Sequence, residues 1–129
     1  MIDPNQDILI IEDAIPVSIL LKEYLEILGY QKIHLCKNGT LGIQKFQKLV
    51  KSDNLPIVFL DDHLPDIPAL LVLKQILTIH PQTKIIVETV ENESETGINR
   101  LFEFGAHSYY PKPYNLEKLK EIMNTLETV

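Results

Sequence analysis

The sequence predicts an α/β domain built on a doubly wound, five-stranded parallel sheet with helices on both faces. Short apolar runs alternate five times with helical patterns, as repeated strand-helix units require. Runs such as "ILII", "IVFL" and "IIV" are near-continuous, which fits strands covered on both sides. At 129 residues, 45% hydrophobic and 23% charged, the chain can bury a core without staples, and it is expected to form a single domain, 1–129.

The expected strands are Asp7 to Ile11, Lys32 to Cys36, Ile57 to Leu60, Lys84 to Thr89 and His107 to Tyr110. In the first helix Val17, Leu20, Leu21, Tyr24, Leu25 and Leu28 fall at helical spacing, with Pro16 in the first turn and Gly29 as the stop. The second, about Thr40 to Lys51, shows Ile43, Phe46 and Val50 on one face. In the third, Leu70, Leu73 and Leu77 form a stripe that Leu71 and Val72 widen. Ile98, Leu101, Phe102 and Gly105 mark the fourth, and Leu116, Leu119, Met123 and Leu126 the fifth. No linker, low-complexity tract or further repeat interrupts the alternation.

Composition excludes several functions. A single cysteine, Cys36, rules out an internal disulfide framework or a paired-cysteine metal site, and suits a reducing compartment. There is no basic leader and no apolar run long enough to span a bilayer, so the expected location is cytoplasmic, with no membrane association. With 18 acidic against 12 basic residues the net charge is −6, and the lysines are scattered, so autonomous nucleic-acid binding is not expected.

Right-handed crossovers place the ligand crevice of such a sheet at the carboxyl ends of its strands. Polar residues gather there: Glu12 and Asp13 after the first strand, Asp61 and Asp62 after the third, Thr89 at the end of the fourth, Lys112 just past the fifth. Carboxylates crowded into one crevice repel unless a cation joins them, and hard oxygen donors favour Mg²⁺ over zinc. A bland reading competes at each position. Glu12 and Asp13 would serve as a helix cap, Asp61 as a turn residue before Pro65, Thr89 as an ordinary strand threonine, and Asp62 as a solvated or helix-facing acid.

"IIEDAIP", "FLDDHLPD", "IIVETV" and "YYPKPY", in that order, resemble the marks of the receiver domain of two-component response regulators, over essentially the whole chain. The resemblance implies a flavodoxin-like (βα)₅ fold with strand order 2-1-3-4-5, as in the chemotaxis regulator. It implies Asp61, four residues before Pro65, as phosphoacceptor. Asp13 would bind Mg²⁺ directly, Glu12 directly or through water, and the backbone carbonyl of His63 would add a ligand. Thr89 would hydrogen-bond the phosphoryl group, Lys112 would pair with it, and Tyr109 would be the aromatic switch. A cis peptide is implied at Lys112-Pro113. The implied partners are a sensor histidine kinase or histidine phosphotransfer protein as donor and a downstream protein read through the face of helix four, strand five and helix five. No output domain is expected in the chain, and a homodimer is possible.

The sequence departs from that pattern in places. Asp66, Ile67, Pro68 and Ala69 stand where the family commonly has a glycine-containing loop, so a stiffer path is expected, with Pro68 starting the third helix. Thr89 to Lys112 is one residue longer than usual; the extra residue is placed in "ENESETG", or Val90 takes the hydroxyl position instead. Glu88 sits in an otherwise apolar strand, where its tail should reach solvent or find a partner such as a lysine. Pro111 lacks a donor, which an edge strand tolerates. These departures also motivate a phosphorylation-independent scaffold or dimerisation module as the alternative. A Mg²⁺-dependent hydrolase ranks low because His63 stands where a second acid would be needed, and a flavin carrier lower still.

Overall fold

The computed structural model describes residues 3–90 and 95–127. Strands and helices alternate as β1 (Asp7–Ile11), α1 (Ile15–Ile27), β2 (Lys32–Cys36), α2 (Gly39–Lys51), β3 (Ile57–Asp61), α3 (Ala69–Ile79), β4 (Ile85–Val90), α4 (Glu95–Glu103), β5 (Ser108–Lys112) and α5 (Leu116–Glu127). The sheet is parallel, in the order β2-β1-β3-β4-β5. Fold class and strand order agree with the sequence expectation.

Alternation along each strand sorts the core into two halves. Leu9, Ile11, Val58, Leu60, Ile85 and Val87 face α2, α3 and α4, meeting Phe46, Val72, Leu73, Ile76 and Leu101. Ile8, Ile10, Phe59 and Ile86 face α1 and α5, meeting Leu21, Leu25, Leu119, Ile122 and Met123. Among the described residues no helix is long and apolar enough to cross a membrane.

Several expected boundaries and faces shift. β1 and β2 fall as expected, but β3 continues through Asp61, β4 begins at Ile85, and β5 runs Ser108–Lys112. Pro111 lies inside β5, which is an edge strand where a missing donor is tolerated. In α1 the buried positions are Ser18, Leu21 and Leu25, while Leu20 turns outward, because one sheet face covers only a narrow stripe. In α3 Val72 is core and Leu71 is exposed; Leu70 and Leu77 pack only at the margin. Pro68 precedes α3 as its cap residue rather than starting it. Gly29 does end α1, at a φ of 110° that favours glycine.

The altered loop after Pro65 has a clear physical role. Asn38 caps α2 by accepting from the Leu41 N–H, and Asp66 reaches across to accept from the Gly39 and Thr40 N–H groups, each at 2.9 Å, and from the Thr40 hydroxyl at 2.7 Å. Two otherwise orphaned N–H groups at a helix N-terminus, and one hydroxyl, thus meet one carboxylate. Ile67 follows it into the interface: a Cβ on Gly39 would lie 2.6 Å from the Ile67 side chain, so only glycine lets α2 approach the loop. What the loop gives up in glycine freedom it regains as a clamp between β3 and α2.

Desolvation opposes ionisation of Asp66, but the bonds from Thr40 and Gly39 together outweigh it and hold the carboxyl well below the usual aspartate range. A depressed folded-state value contributes stability above the ordinary range and loses it as pH falls toward the depressed value. Asp66→Ala is expected to lower the thermal midpoint by a few degrees at neutral pH, with the difference from wild type shrinking in acid; paired melts at both pH values check it.

Candidate functional site

The carboxyl ends of β1 and β3 lie side by side, Ile11 opposite Leu60, so the residues that follow, Glu12 and Asp61, meet at the sheet edge. Both are buried. Lys112 ends β5, and its stem crosses β4 to bring Nζ 2.9 Å from Glu12 Oε1 and 3.3 Å from Asp61 Oδ1. Asp13 completes the group from the exposed rim. Carboxylate oxygens of Glu12, Asp13 and Asp61 lie within 4.8 Å of one another. The first turn of α1 does not use Glu12 or Asp13 as its cap residue; that place falls to Ala14, which has no side-chain cap, and its N–H donates to Glu12 Oε2 at 3.2 Å.

Three acids against one ammonium leave the crevice short of positive charge, and the titration of each group reflects it. Burial pushes Asp61 up to about 8, helped by the hydrogen bond and charge of Glu12 and opposed by Lys112 and the His63 N–H. Burial also opposes the charge on Glu12, but bonds to Asp61 and Lys112 win and hold its carboxyl below the usual range. The two neighbouring carboxyls are thus pushed in opposite directions, Glu12 toward its charged form and Asp61 toward its neutral one. Lys112 is penalised by burial, yet the hydrogen bond to Glu12 and the surrounding acids raise it well above the ordinary lysine value. Hard carboxylate oxygens, mutually close and under-neutralised, fit a divalent cation such as Mg²⁺.

Other expected residues stand further out. His63 is exposed, and its backbone N–H donates to Asp61 Oδ1 at 3.2 Å. Thr89 is fully buried, with its hydroxyl donating to Asp62 Oδ2 at 2.8 Å. Tyr109 is 45% exposed and meets Phe102 edge to face at 6.1 Å. The Lys112-Pro113 peptide is cis. The side chain of Val90, and most of the "ENESETG" segment where an extra residue was expected, lie outside the described residues.

The fold is shared with known proteins. The family model "Response regulator receiver domain" matches residues 8–124. The chain belongs to the response regulator receiver domain family. Two-component signalling is the setting of that family. The receiver is 28% identical to the chemotaxis protein CheY of Thermotoga maritima over 117 residues, 91% of this chain and 93% of the relative. It is 35% identical over 111 residues to the transcriptional regulatory protein SrrA of Staphylococcus aureus, covering 86% of this chain but only 43% of that protein's length. In fold it matches the CheX-CheY-BeF₃-Mg²⁺ complex of Borrelia burgdorferi with a TM-score of 0.84 and 20% identity, over 94% of this receiver and 89% of that chain.

Two residues escaped sequence reasoning. Asp62 is half-buried and bonded to Thr89; strand alternation could have put both on one face, but the pairing needs the β3-β4 register. Glu88 corrects the expectation, because its side chain neither reaches solvent nor finds a hydrogen-bond partner among the described residues. It is fully buried opposite Asp61 on one side and Tyr110 on the other, and neither carboxyl oxygen has a hydrogen bond among the described residues. Burial first, then the charge of Glu12, drives its pKa well above the ordinary value, with Lys112 only partly opposing.

Glu88→Leu is accordingly expected to stabilise the receiver by roughly 1–3 kcal/mol, the cost of an unsatisfied buried polar group. An acid raised in the folded state costs least below its unfolded pKa and more as pH rises, so the gain should be smaller near about pH 4 than near about pH 8. Urea unfolding at both values tests magnitude and slope.

Proposed function

We propose that Asp61 accepts a phosphoryl group from a histidine kinase or histidine phosphotransfer protein and that the phosphorylated receiver signals to a downstream protein. The observation that carries this reading is the convergence of Glu12, Asp13 and Asp61 with the Lys112 ammonium at one sheet edge. An Asp61 oxygen forms the bond to phosphorus as the bond from phosphorus to the donor imidazole breaks, and the imidazole leaves with that electron pair. Lys112, already within reach of Asp61, offers positive charge to the phosphoryl oxygens. Glu12 also binds the ammonium, at 2.9 Å.

Glu12, Asp13, Asp61 and the His63 carbonyl are the residues that would hold Mg²⁺, which when bound would offset the charge of the transferred group. That the Borrelia CheY complex, alike in fold, is named with BeF₃ and Mg²⁺ favours a Mg²⁺ site in this fold. Thr89 would donate to a phosphoryl oxygen once released from its present partner, and Tyr109 would turn inward into the space it leaves. Tyr109 and Phe102 border a groove with Lys118, Glu121 and Ile122 on the α4-β5-α5 face, which supports that face as the output surface. The encounter would take place in the cytoplasm.

Acetyl phosphate with Mg²⁺ is expected to add one phosphoryl group to wild type, none to Asp61→Asn, and to react with Lys112→Ala about 10²-fold more slowly. Intact mass spectrometry reads all three. An unmodified wild-type mass under those conditions would overturn the proposal in favour of a phosphorylation-independent scaffold.

A further inference from the structure

We propose that Asp62 is a positioning residue that holds Thr89 in the unphosphorylated receiver, so that its carboxylate and the phosphoryl group on Asp61 compete for one hydroxyl. The inference rests on the reading of Asp61 as acceptor and goes beyond it by assigning a role to the neighbouring acid.

Alternation at the end of β3 separates the two aspartates. Phe59 packs toward α1 and α5 and Leu60 toward α2 and α3, so Asp61 continues the first face and Asp62 the second. Asp61 thereby meets Glu12 and Lys112, while Asp62 meets Thr89, which continues the face of Ile85 and Val87 on β4. The backbone fixes this arrangement: the Asp62 N–H donates to the Glu88 carbonyl at 3.1 Å, locking the end of β3 beside the residue before Thr89.

A threonine hydroxyl has one proton to donate. In this receiver that proton goes to Asp62 Oδ2 at 2.8 Å, within a fully buried side chain that cannot turn to water instead. For Thr89 to donate to a phosphoryl oxygen, the bond to Asp62 must break. Phosphorylation therefore works against a pre-existing bond to a carboxylate, a bond of the stronger kind. Removing the acceptor removes that opposition without touching Asp61, Lys112 or the acidic triad.

The test is beryllofluoride affinity in saturating Mg²⁺, read by titration calorimetry on wild type, Asp62→Ala, Asp62→Asn, Thr89→Ala, Thr89→Ser and the double variants. Asp62→Ala is expected to bind about ten-fold more tightly than wild type, a change in line with the net worth of a hydrogen bond to a charged group. Asp62→Asn, which keeps an oxygen acceptor, should fall between the two. The gain should vanish when Asp62→Ala is made in Thr89→Ala and persist in Thr89→Ser. A gain that survives in Thr89→Ala, or is equal in Asp62→Asn and Asp62→Ala, would mean that Asp62 acts only through its charge and would overturn the inference. So would unchanged affinity in Asp62→Ala. Should Asp62→Ala fail to fold, the wild-type crystal structure with beryllofluoride and Mg²⁺ decides: Thr89 Oγ1 off Asp62 and on a fluoride supports the latch, and Thr89 still on Asp62 refutes it. If wild type binds no beryllofluoride at all, the acceptor reading falls and the latch falls with it; if wild type binds and Thr89 stays put, the latch alone falls.

Discussion

Three carboxyl groups, those of Glu12, Asp61 and Glu88, are buried along one face of the sheet, and the ammonium of Lys112 is the positive charge set against them. Burying a charge is tolerable only when it is paired, and one lysine cannot pair three acids. The molecule resolves the conflict unevenly. Glu12 takes the ammonium at 2.9 Å and is held toward its charged form; Asp61, at 3.3 Å, and Glu88, with no hydrogen bond among the described residues, are driven toward their neutral forms. A carboxyl poised in this way is one that added positive charge would draw toward its charged form.

Topology explains why the pairing has to be made by so long a side chain. In the order β2-β1-β3-β4-β5, Lys112 on the edge strand must cross β4 to reach β3, a span of two strand spacings or roughly 10 Å. Glu88 is the residue of β4 on that face, flanked by Asp61 and Tyr110. The path that delivers the ammonium to Asp61 therefore runs over Glu88, which accounts for a carboxyl sealed from water yet left without a hydrogen bond among the described residues. Tyr110 offers it no help, since its hydroxyl is committed to the Asn115 backbone in both directions, at 2.8 and 2.9 Å.

Most of this fold is legible in the sequence because both faces of the sheet are covered. Continuous apolar runs then mark β1, β3 and β4, and the acids that break them mark the carboxyl edge. What alternation and spacing do not carry is the relation between strands. Asp62 reads as a surface acid until the β3-β4 register sets it beside Thr89, and Glu88 reads as a residue in search of a lysine until the hydrogen bonds of Lys112 are seen to go to Glu12 and Asp61. Helix faces blur for a related reason. Leu20 and Leu71 satisfy helical spacing as well as Leu21 and Val72 do, and only the packing angle against the sheet decides which pair is buried.

The adjacent aspartates that end β3 join two kinds of behaviour through a single peptide. Asp61 looks toward Glu12 and Lys112, where charge is short; Asp62 looks toward Thr89, inside the half of the core that α3 and α4 cover. Since the Asp62 N–H is held by the Glu88 carbonyl, and β3 is flanked by strands on both sides, neither residue can shift without moving the other. A packed sheet edge of this kind has few intermediate positions available, so a change in the occupant of Asp61 is met by rearrangement of hydroxyls and side chains rather than by gradual backbone drift. Tyr109, exposed and resting on Phe102, lies one strand beyond Thr89, on the side to which the proposed switch would pass.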